Sequence, residues 1–102
     1  MKISGQPDLY TFSTLHSLAR RRIERWLQTT KAADWKSPVD LKKTFPSADF
    51  VKVRSGATVV VFNLGGNNYR LIASVRYELQ RVIVLRIYTH QEYSKHPWID
   101  EL

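Results

Sequence analysis

The stretch that decides the fold lies in the second half of the chain, where residues 58–88 read TVVVFNLGGNNYRLIASVRYELQRVIVLRIY. Three runs in it are dominated by β-branched, aliphatic and aromatic residues, as is typical of strands. The segment 65–68 between the first two runs is rich in residues that tolerate a positive φ. Short connections make consecutive strands antiparallel neighbours. The pattern therefore predicts antiparallel strands over 58–64, 69–77 and 81–88.

Upstream of this stretch, the sequence predicts a fourth strand and a short helix. Residues 50–53 form a short apolar strand, followed by a turn over 54–56. Ser37 is a natural N-cap, and Pro38 suits the first helical position. Pro46 cannot continue a helix. We expect a short helix between these prolines.

The N-terminal third of the chain is predicted to be helical. Apolar residues recur there at spacings of three and four, which is one face of a helix. This face comprises Phe12, Leu15, Leu18, Ala19, Ile23, Trp26, Leu27 and Thr30. The pattern allows one helix between Pro7 and Ala33, or two with a break near Ser13, which would then cap the second piece.

A capping box marks the start of a final short helix. Thr89 is followed three residues later by Glu92, and the two side chains are expected to bond to each other's backbone. The predicted fold is α+β, with N-terminal helices packed on a small antiparallel sheet and a short C-terminal helix. The chain has 102 residues, a length that fits a single domain over 1–102.

Charge and composition narrow the class of partner. The formal net charge is +7 and the pI is about 10.0, which favours a polyanionic partner such as nucleic acid. The chain has no cysteine, so disulfides, thiol nucleophiles and thiolate metal sites are excluded. We expect a cytoplasmic protein with no membrane partner, because neither a signal peptide nor an apolar run of about 20 residues is present.

Alternation along the strands predicts a basic face on the sheet. In the second predicted strand, one face of the sheet carries Arg70, Ile72, Ser74 and Arg76. The other face, which is expected to face the core, carries Tyr69, Leu71, Ala73, Val75 and Tyr77. In the last strand, Val82, Val84, Arg86 and Tyr88 form one set, and Ile83, Leu85 and Ile87 the other. If the arginine-bearing faces coincide, they build a concave surface suited to single-stranded RNA. The alternative is that each arginine is only a solvated surface charge.

The titratable residues suit RNA cleavage better than metal catalysis. The acids form no adjacent motif, and no two histidines have metal-ligand spacing, so no metal or other cofactor is expected. Metal-free cleavage needs a base, an acid and a cation near the phosphate. His90 and Tyr93 lie three apart at a helix start and share a face. The alternative for His90 is a surface or capping residue; His16 is interpreted as structural.

The aromatic residues are interpreted mainly as packing residues. Trp26 and Trp35 are expected in the core, Tyr10 and Tyr77 in the core or at its boundary, and Trp98 against some part of the fold.

Several segments together resemble the HigB toxin family, within the RelE-like fold group. Gly66 to Ala73 is similar to the family's Gly-Asn-x-Tyr-Arg motif, and Thr89 to Tyr93 to its Thr-His-x-x-Tyr motif. Residues 33–42, 45–51 and 60–64 also match in order and spacing. The resemblance covers about residues 23–94, whereas the segment before about Ser13 and the tail after Tyr93 depart from the family's pattern.

The resemblance implies a toxin of a type II toxin–antitoxin system, a ribosome-dependent mRNA endoribonuclease. It also implies a HigA-type helix-turn-helix antitoxin, with operator DNA bound only through the toxin–antitoxin complex. Carried over by motif, Arg70 stabilises the phosphate, while His90 and Tyr93 are the acid–base and orienting pair, with base and acid left open. The expected RNA-binding residues are Lys36, Lys42, Lys43, Asn67, Arg76 and Arg86.

Two other functions fit the same basic surface. A non-catalytic RNA-binding module would bind RNA in a salt-sensitive way without cleaving it. A regulatory subunit would direct its positive charge toward an acidic protein. The His90 motif favours the nuclease, because simple binding does not need a titrating residue.

Overall fold

The computed structural model describes residues 1–66 and 68–102. A short 3₁₀ helix, Ser17–Ala19, joins the first two α-helices. The elements follow in the order β1 (Lys2–Ser4), α1 (Gln6–Leu15), α2 (Arg20–Ala32), α3 (Pro38–Thr44), β2 (Asp49–Lys52), β3 (Thr58–Leu64), β4 (Tyr69–Arg76), β5 (Arg81–Thr89), α4 (His90–Lys95) and α5 (Trp98–Glu101). The predicted α+β class, with helices on a small sheet and a short C-terminal helix, is confirmed.

The described strands form one sheet in the order β1-β5-β4-β3-β2. Strands β2 to β5 are antiparallel neighbours, as predicted. Strand β1 was not predicted, and it pairs parallel with β5, with Ile3 opposite Val82. The sheet is therefore mixed, with its one parallel pair at the edge.

Each face of the sheet has its own apolar cluster. Helices α1, α2 and α3 cover the first face, where Trp26, Leu41 and Leu71 are buried together. The C-terminal helices cover part of the second face, where Trp98 packs with Val61, Ile72 and Tyr88. Because the second face has the smaller cover, its polar residue Arg86 remains partly accessible.

The N-terminal helical region is interrupted at His16, not near Ser13. His16 has φ −128° and ψ 81°, and its amide donates to the Phe12 carbonyl at the end of α1. Ser13 lies inside α1, where its hydroxyl donates to the Tyr10 carbonyl, so it caps no helix. The break rotates Leu15 and Leu18 away from the core, leaving them 75% and 84% exposed. Their assignment to the buried face was wrong.

Most predicted packing residues lie where expected. Trp26 and Trp35 are buried, Tyr77 is half-buried, and Trp98 packs on the second face. Tyr10 is 61% exposed, so its assignment to packing was wrong. It lies on the solvent side of α1 because Leu9 and Phe12 fill the face toward the sheet.

A bulge in β5 changes the predicted alternation. Ile72 lies opposite Arg86, but the next residue, Ala73, lies opposite Val84, so Leu85 is the extra residue. Val82 and Val84 consequently pack in the first cluster, while Arg86 and Tyr88 face the second. The prediction that these four share a face was wrong, because an inserted residue reverses the alternation on one side of it.

No α-helix in the described part of the chain is both long and apolar enough to span a bilayer.

Gly5 is predicted to be a position where any side chain destabilises the fold. It connects β1 to α1 with φ +87°, and an added Cβ would lie 2.6 Å from the Val84 carbonyl oxygen of β5. Gly56 has φ +92° but no atom within 4 Å of an added Cβ. We expect Gly56→Ala to cost about 1–2 kcal/mol of unfolding free energy from backbone strain alone. Gly5→Ala should cost roughly 1–3 kcal/mol more, because backbone atoms must shift.

Urea denaturation of both variants measures the difference. Equal losses of unfolding free energy for Gly5→Ala and Gly56→Ala would show that the close approach of Gly5 to β5 adds no cost to the substitution.

Candidate active site

The arginine-bearing faces of β4 and β5 coincide near one end of the sheet. In the antiparallel register, Arg70 lies opposite Tyr88, and Ile72 lies opposite Arg86. Arg76 shares this face by alternation, but it lies roughly 20 Å further along β4. The structure therefore places Arg70 and Arg86 near each other and Arg76 at the far end.

Arg70 is a largely buried cation held at the strand end. Its side chain is on the second face with 9% of the residue exposed. One guanidinium nitrogen, Nη1, donates to the carbonyls of Gly66 and Tyr69, at 3.4 and 3.3 Å. The guanidinium carbon lies 5.5 Å from the centre of the Tyr93 ring, within cation–π range. These contacts fix where the charge lies.

The predicted capping box is confirmed and positions the start of α4. The Thr89 hydroxyl accepts from the Glu92 amide at 3.2 Å, and the Glu92 carboxylate accepts from the Thr89 amide at 2.9 Å. The His90 amide donates to the Asn68 carbonyl at 3.0 Å, which ties α4 to the turn before β4. His90 is exposed at this junction.

Tyr93 of α4 contacts both Arg70 and Trp98, the first residue of α5. Its ring packs against Trp98, with centres 5.5 Å apart and planes tilted by 31°. Burial raises the pKa of the Tyr93 phenol, with a further increase from the Asp49 carboxylate and an opposing decrease from Arg70. Tyr93 is therefore a neutral hydroxyl near pH 7, able to donate a hydrogen bond but unsuited to act as a base.

Asp49 is a residue of this site that sequence reasoning did not single out. It begins β2 and pairs with Val61, which pairs with Ile72, so it lies in the same row of the second face as Arg86. The pairing register of four strands was needed to find it. Its negative charge reaches Tyr93 from the β2 side.

A second polar cluster links β5 to the C-terminal tail. Arg86 donates to the Leu85 carbonyl at 2.9 Å, and its Nη2 lies 4.0 Å from the Glu101 carboxylate. The same carboxylate lies 3.4 Å from Nδ1 of His96, which is 3.2 Å from the Tyr88 hydroxyl. Sequence reasoning missed His96 and Glu101, since the tail carries no periodic pattern.

The predicted RNA-binding lysines lie away from Arg70. Lys42 and Lys43 are exposed on α3, and they border an apolar depression with Phe50 of β2. Strand β3 separates β2 from β4 in the sheet. Lys36 is exposed just before α3, where its amide donates to the Asp40 carboxylate at 3.0 Å. Asn67, also predicted to bind RNA, lies outside the described residues.

The arrangement can bind an anion and exchange a proton beside it. Arg70 supplies an oriented cation, His90 an exposed imidazole, and Tyr93 a neutral phenol that contacts the cation. Within residues 1–66 and 68–102, no three His, Asp or Glu side chains form a group that could hold a metal ion. Phosphate chemistry through protein side chains is what these groups can perform.

Helices on one face of a mainly antiparallel sheet, with short C-terminal helices against the other, are the architecture of RelE-like domains. The HigB toxin family, described as the RelE-like toxic component of a toxin–antitoxin system, matches residues 19–96. This match covers well over half of the chain. The chain belongs to the HigB toxin family, as the resemblance predicted.

Two relatives in Escherichia coli are named as mRNA interferases. The "mRNA interferase toxin HigB" of strain K12 is 41% identical over 60 residues, which are 59% of this chain and 56% of that protein. The "mRNA interferase HigB" of strain O6:H1 is 35% identical over 81 residues, which are 79% of this chain and 69% of that protein. The matched part thus spans little more than half of the first relative's length.

The raised pKa of Tyr93 predicts a measurable loss of stability in alkali. Burial also raises the pKa of Tyr77 and of Tyr88. The folded state binds these phenolic protons more tightly than the unfolded state does. Their contribution to the free energy of unfolding is therefore complete below the ordinary tyrosine pKa of 10.0, and it is lost as the pH rises above that value. Tyr93→Phe should show a shallower decline in unfolding free energy above that pH.

The ultraviolet absorbance of tyrosinate in wild type minus Tyr93→Phe gives the ionisation curve of this phenol directly. Tyr10→Phe, which removes the hydroxyl from an exposed tyrosine ring, is the control for the stability measurement. A midpoint at or below 10.0 for Tyr93 would contradict its burial beside Asp49.

Proposed function

We propose that this chain is the toxin of a type II toxin–antitoxin system and that it cleaves messenger RNA. The observation that carries the proposal is the arrangement of Arg70, His90 and Tyr93 around the junction of β4, β5 and α4. An oriented cation and an exposed imidazole, each next in sequence to the paired residues Tyr69 and Thr89, suit a phosphodiester. The names of the E. coli relatives as mRNA interferases support the same activity.

The proposed reaction uses the substrate's own nucleophile, so it needs no metal. The ribose 2′ oxygen forms a bond to the adjacent phosphorus, and the bond from phosphorus to the 5′ oxygen breaks. The 2′ proton leaves to a base, and the 5′ oxygen takes a proton from an acid. The products are a 2′,3′-cyclic phosphate and a 5′-hydroxyl end.

Each side chain has a role that follows from its surroundings. Arg70 faces the phosphate and stabilises the charge that builds on it in the transition state. His90 exchanges protons with the substrate, because its imidazole is exposed at the start of α4. Tyr93 donates a hydrogen bond from its neutral phenol and orients the group at Arg70, without serving as the base.

The wider system is part of the proposal. We infer that cleavage requires the ribosome, which would present translated message to the second face, and that it takes place in the cytoplasm. A HigA-type helix-turn-helix antitoxin neutralises the toxin, and operator DNA is bound only through their complex. RNA on the ribosome is contacted by Arg86, once its side chain separates from Glu101. It is also contacted by the exposed residues Arg76, Lys36, Lys42 and Lys43 and by Asn67.

His90→Ala is expected to abolish cleavage while the fold persists. Loss of a proton-transfer group typically costs about 10²–10⁴-fold in rate. The matched control is Gln91→Ala, the next exposed residue of α4, which should cleave like wild type. After brief induction in cells, mapping of 5′ ends should show cuts within translated regions for wild type and Gln91→Ala only.

Intact messages in cells that contain folded wild-type protein would overturn the nuclease proposal. That result would move the function to a non-catalytic RNA-binding or regulatory protein on the same surface.

Arg70→Lys is expected to lower cleavage by about 10²-fold or more while the positive charge is retained. The guanidinium donates in a fixed plane, whereas an ammonium is a point charge on a flexible stem. Purified translating ribosomes provide the assay, and thermal unfolding of the variant confirms that it is folded. Wild-type activity in Arg70→Lys would show that a positive charge alone, without the planar arrangement of guanidinium donors, is enough to stabilise the phosphate.

A further inference from the structure

A pocket with no assigned role lies where the N-terminal helices break. It has a volume of about 460 Å³ and lies between the segment joining α1 to α2 and the adjoining ends of β4 and β5. We call it the helix-break pocket; its lining residues are His16, Leu18, Arg22, Asn68, Tyr69 and Thr89. It opens on the first-face side of these strand ends, opposite the side chain of Arg70.

Two aromatic walls of the pocket are held in place by Phe12. The His16 ring lies on Phe12 with centres 4.3 Å apart and planes inclined by 32°. The Tyr69 ring meets the same Phe12 edge to face, with centres 5.8 Å apart. Because Phe12 is buried, both rings are supported from behind. Their flat surfaces are suited to stacking with a nucleobase.

Arg22 supplies positive charge at the rim of the pocket. It is exposed on α2 and passes close to the turn before β4, because a Cβ added at Gly65 would lie 3.4 Å from its Nε. Over the described residues, no carboxylate lies within ion-pair distance of Arg22, whereas its neighbour Arg20 pairs with Glu24 at 3.2 Å. An arginine fork beside aromatic rings is a combination that binds a nucleotide's phosphate and base together.

The pocket and the candidate active site share backbone. Tyr69 and Thr89 line the pocket, and the next residues along the chain are Arg70 and His90. The Asn68 carbonyl of the pocket accepts the hydrogen bond from the His90 amide. The pocket and Arg70 thus lie at the same strand ends on opposite faces of the sheet, and an RNA strand held at Arg70 would reach the pocket by passing around the ends of β4 and β5.

We propose that the helix-break pocket binds a nucleotide of the RNA strand adjacent to the phosphate held at Arg70. Its base stacks on Tyr69 or His16, and its phosphate contacts Arg22. The inference rests on the proposed function for the nature of the strand. It assigns His16, interpreted above as structural, to a binding surface.

The test compares two neighbouring arginines of α2 in a cleavage-deficient His90→Ala background. Arg22→Gln and Arg21→Gln remove the same charge from exposed helical positions, but Arg21 does not line the pocket. We expect Arg22→Gln to weaken binding of a single-stranded RNA hexanucleotide about 5–20-fold and to reduce the salt slope by roughly 0.7, as for one lost phosphate contact. Arg21→Gln should weaken binding less than about twofold.

NMR titration with the same hexanucleotide locates the contact. The ring signals of His16 and Tyr69 should shift in His90→Ala, and the Arg22→Gln double variant should need about 5–20-fold more RNA to reach the same shift. Equal effects of the two arginine variants, or unshifted rings with RNA in excess, would overturn the proposal. So would a shift of these rings by an acidic antitoxin segment but not by RNA, which would assign the pocket to the protein partner.

This outcome is separable from that of the nuclease proposal. Message cleavage by wild type together with equal binding losses in the two arginine variants would leave the nuclease standing and remove the nucleotide pocket. A selective loss of RNA binding in Arg22→Gln without message cleavage by wild type would support the pocket in a non-catalytic RNA-binding protein.

Discussion

The hydrogen bond from the His90 amide to the Asn68 carbonyl is the constraint on which the candidate site depends. It extends the β4–β5 ladder one step beyond Tyr69 and Thr89, so the turn before β4 and the first turn of α4 cannot separate. Arg70 takes one carbonyl partner, Gly66, from that turn and another, Tyr69, from the first residue of β4, while His90 and Tyr93 belong to that helix. One backbone contact thus fixes the cation relative to His90 and Tyr93, although Arg70 and α4 come from different segments of the chain.

The bulge at Leu85 changes which face of the sheet the even-numbered residues of β5 occupy. Before the bulge, Val82 and Val84 pack under the N-terminal helices; after it, Arg86 and Tyr88 face the C-terminal ones. Without the extra residue, simple alternation would place either the valines or the polar pair on the wrong side. Since an arginine under α1 and α2 would be a buried charge without a compensating partner, the bulge keeps the core apolar and the second face polar.

Local patterns allowed much of this structure to be predicted, and long-range pairings account for what was missed. The β-branched run over Thr58–Leu64 and the Thr89–Glu92 capping box carry their signals within a few residues, and both were predicted at their observed positions. Strand β1 has three residues and exists only because β5 offers it an edge. The break at His16 and the position of Asp49 depend on tertiary packing and register, which a single sequence does not encode in spacing.

Burial of Arg70 explains why its neighbours are arranged as they are. A guanidinium removed from water is costly unless hydrogen-bond acceptors surround it, and here backbone carbonyls and the face of Tyr93 take that role. Trp98 packs against the Tyr93 ring, so the C-terminal tail supports the cation's aromatic partner. The tail also brings the Glu101 carboxylate to within 4.0 Å of Arg86. The second face therefore holds one arginine with an aromatic partner and carbonyl acceptors and another beside a carboxylate of the tail.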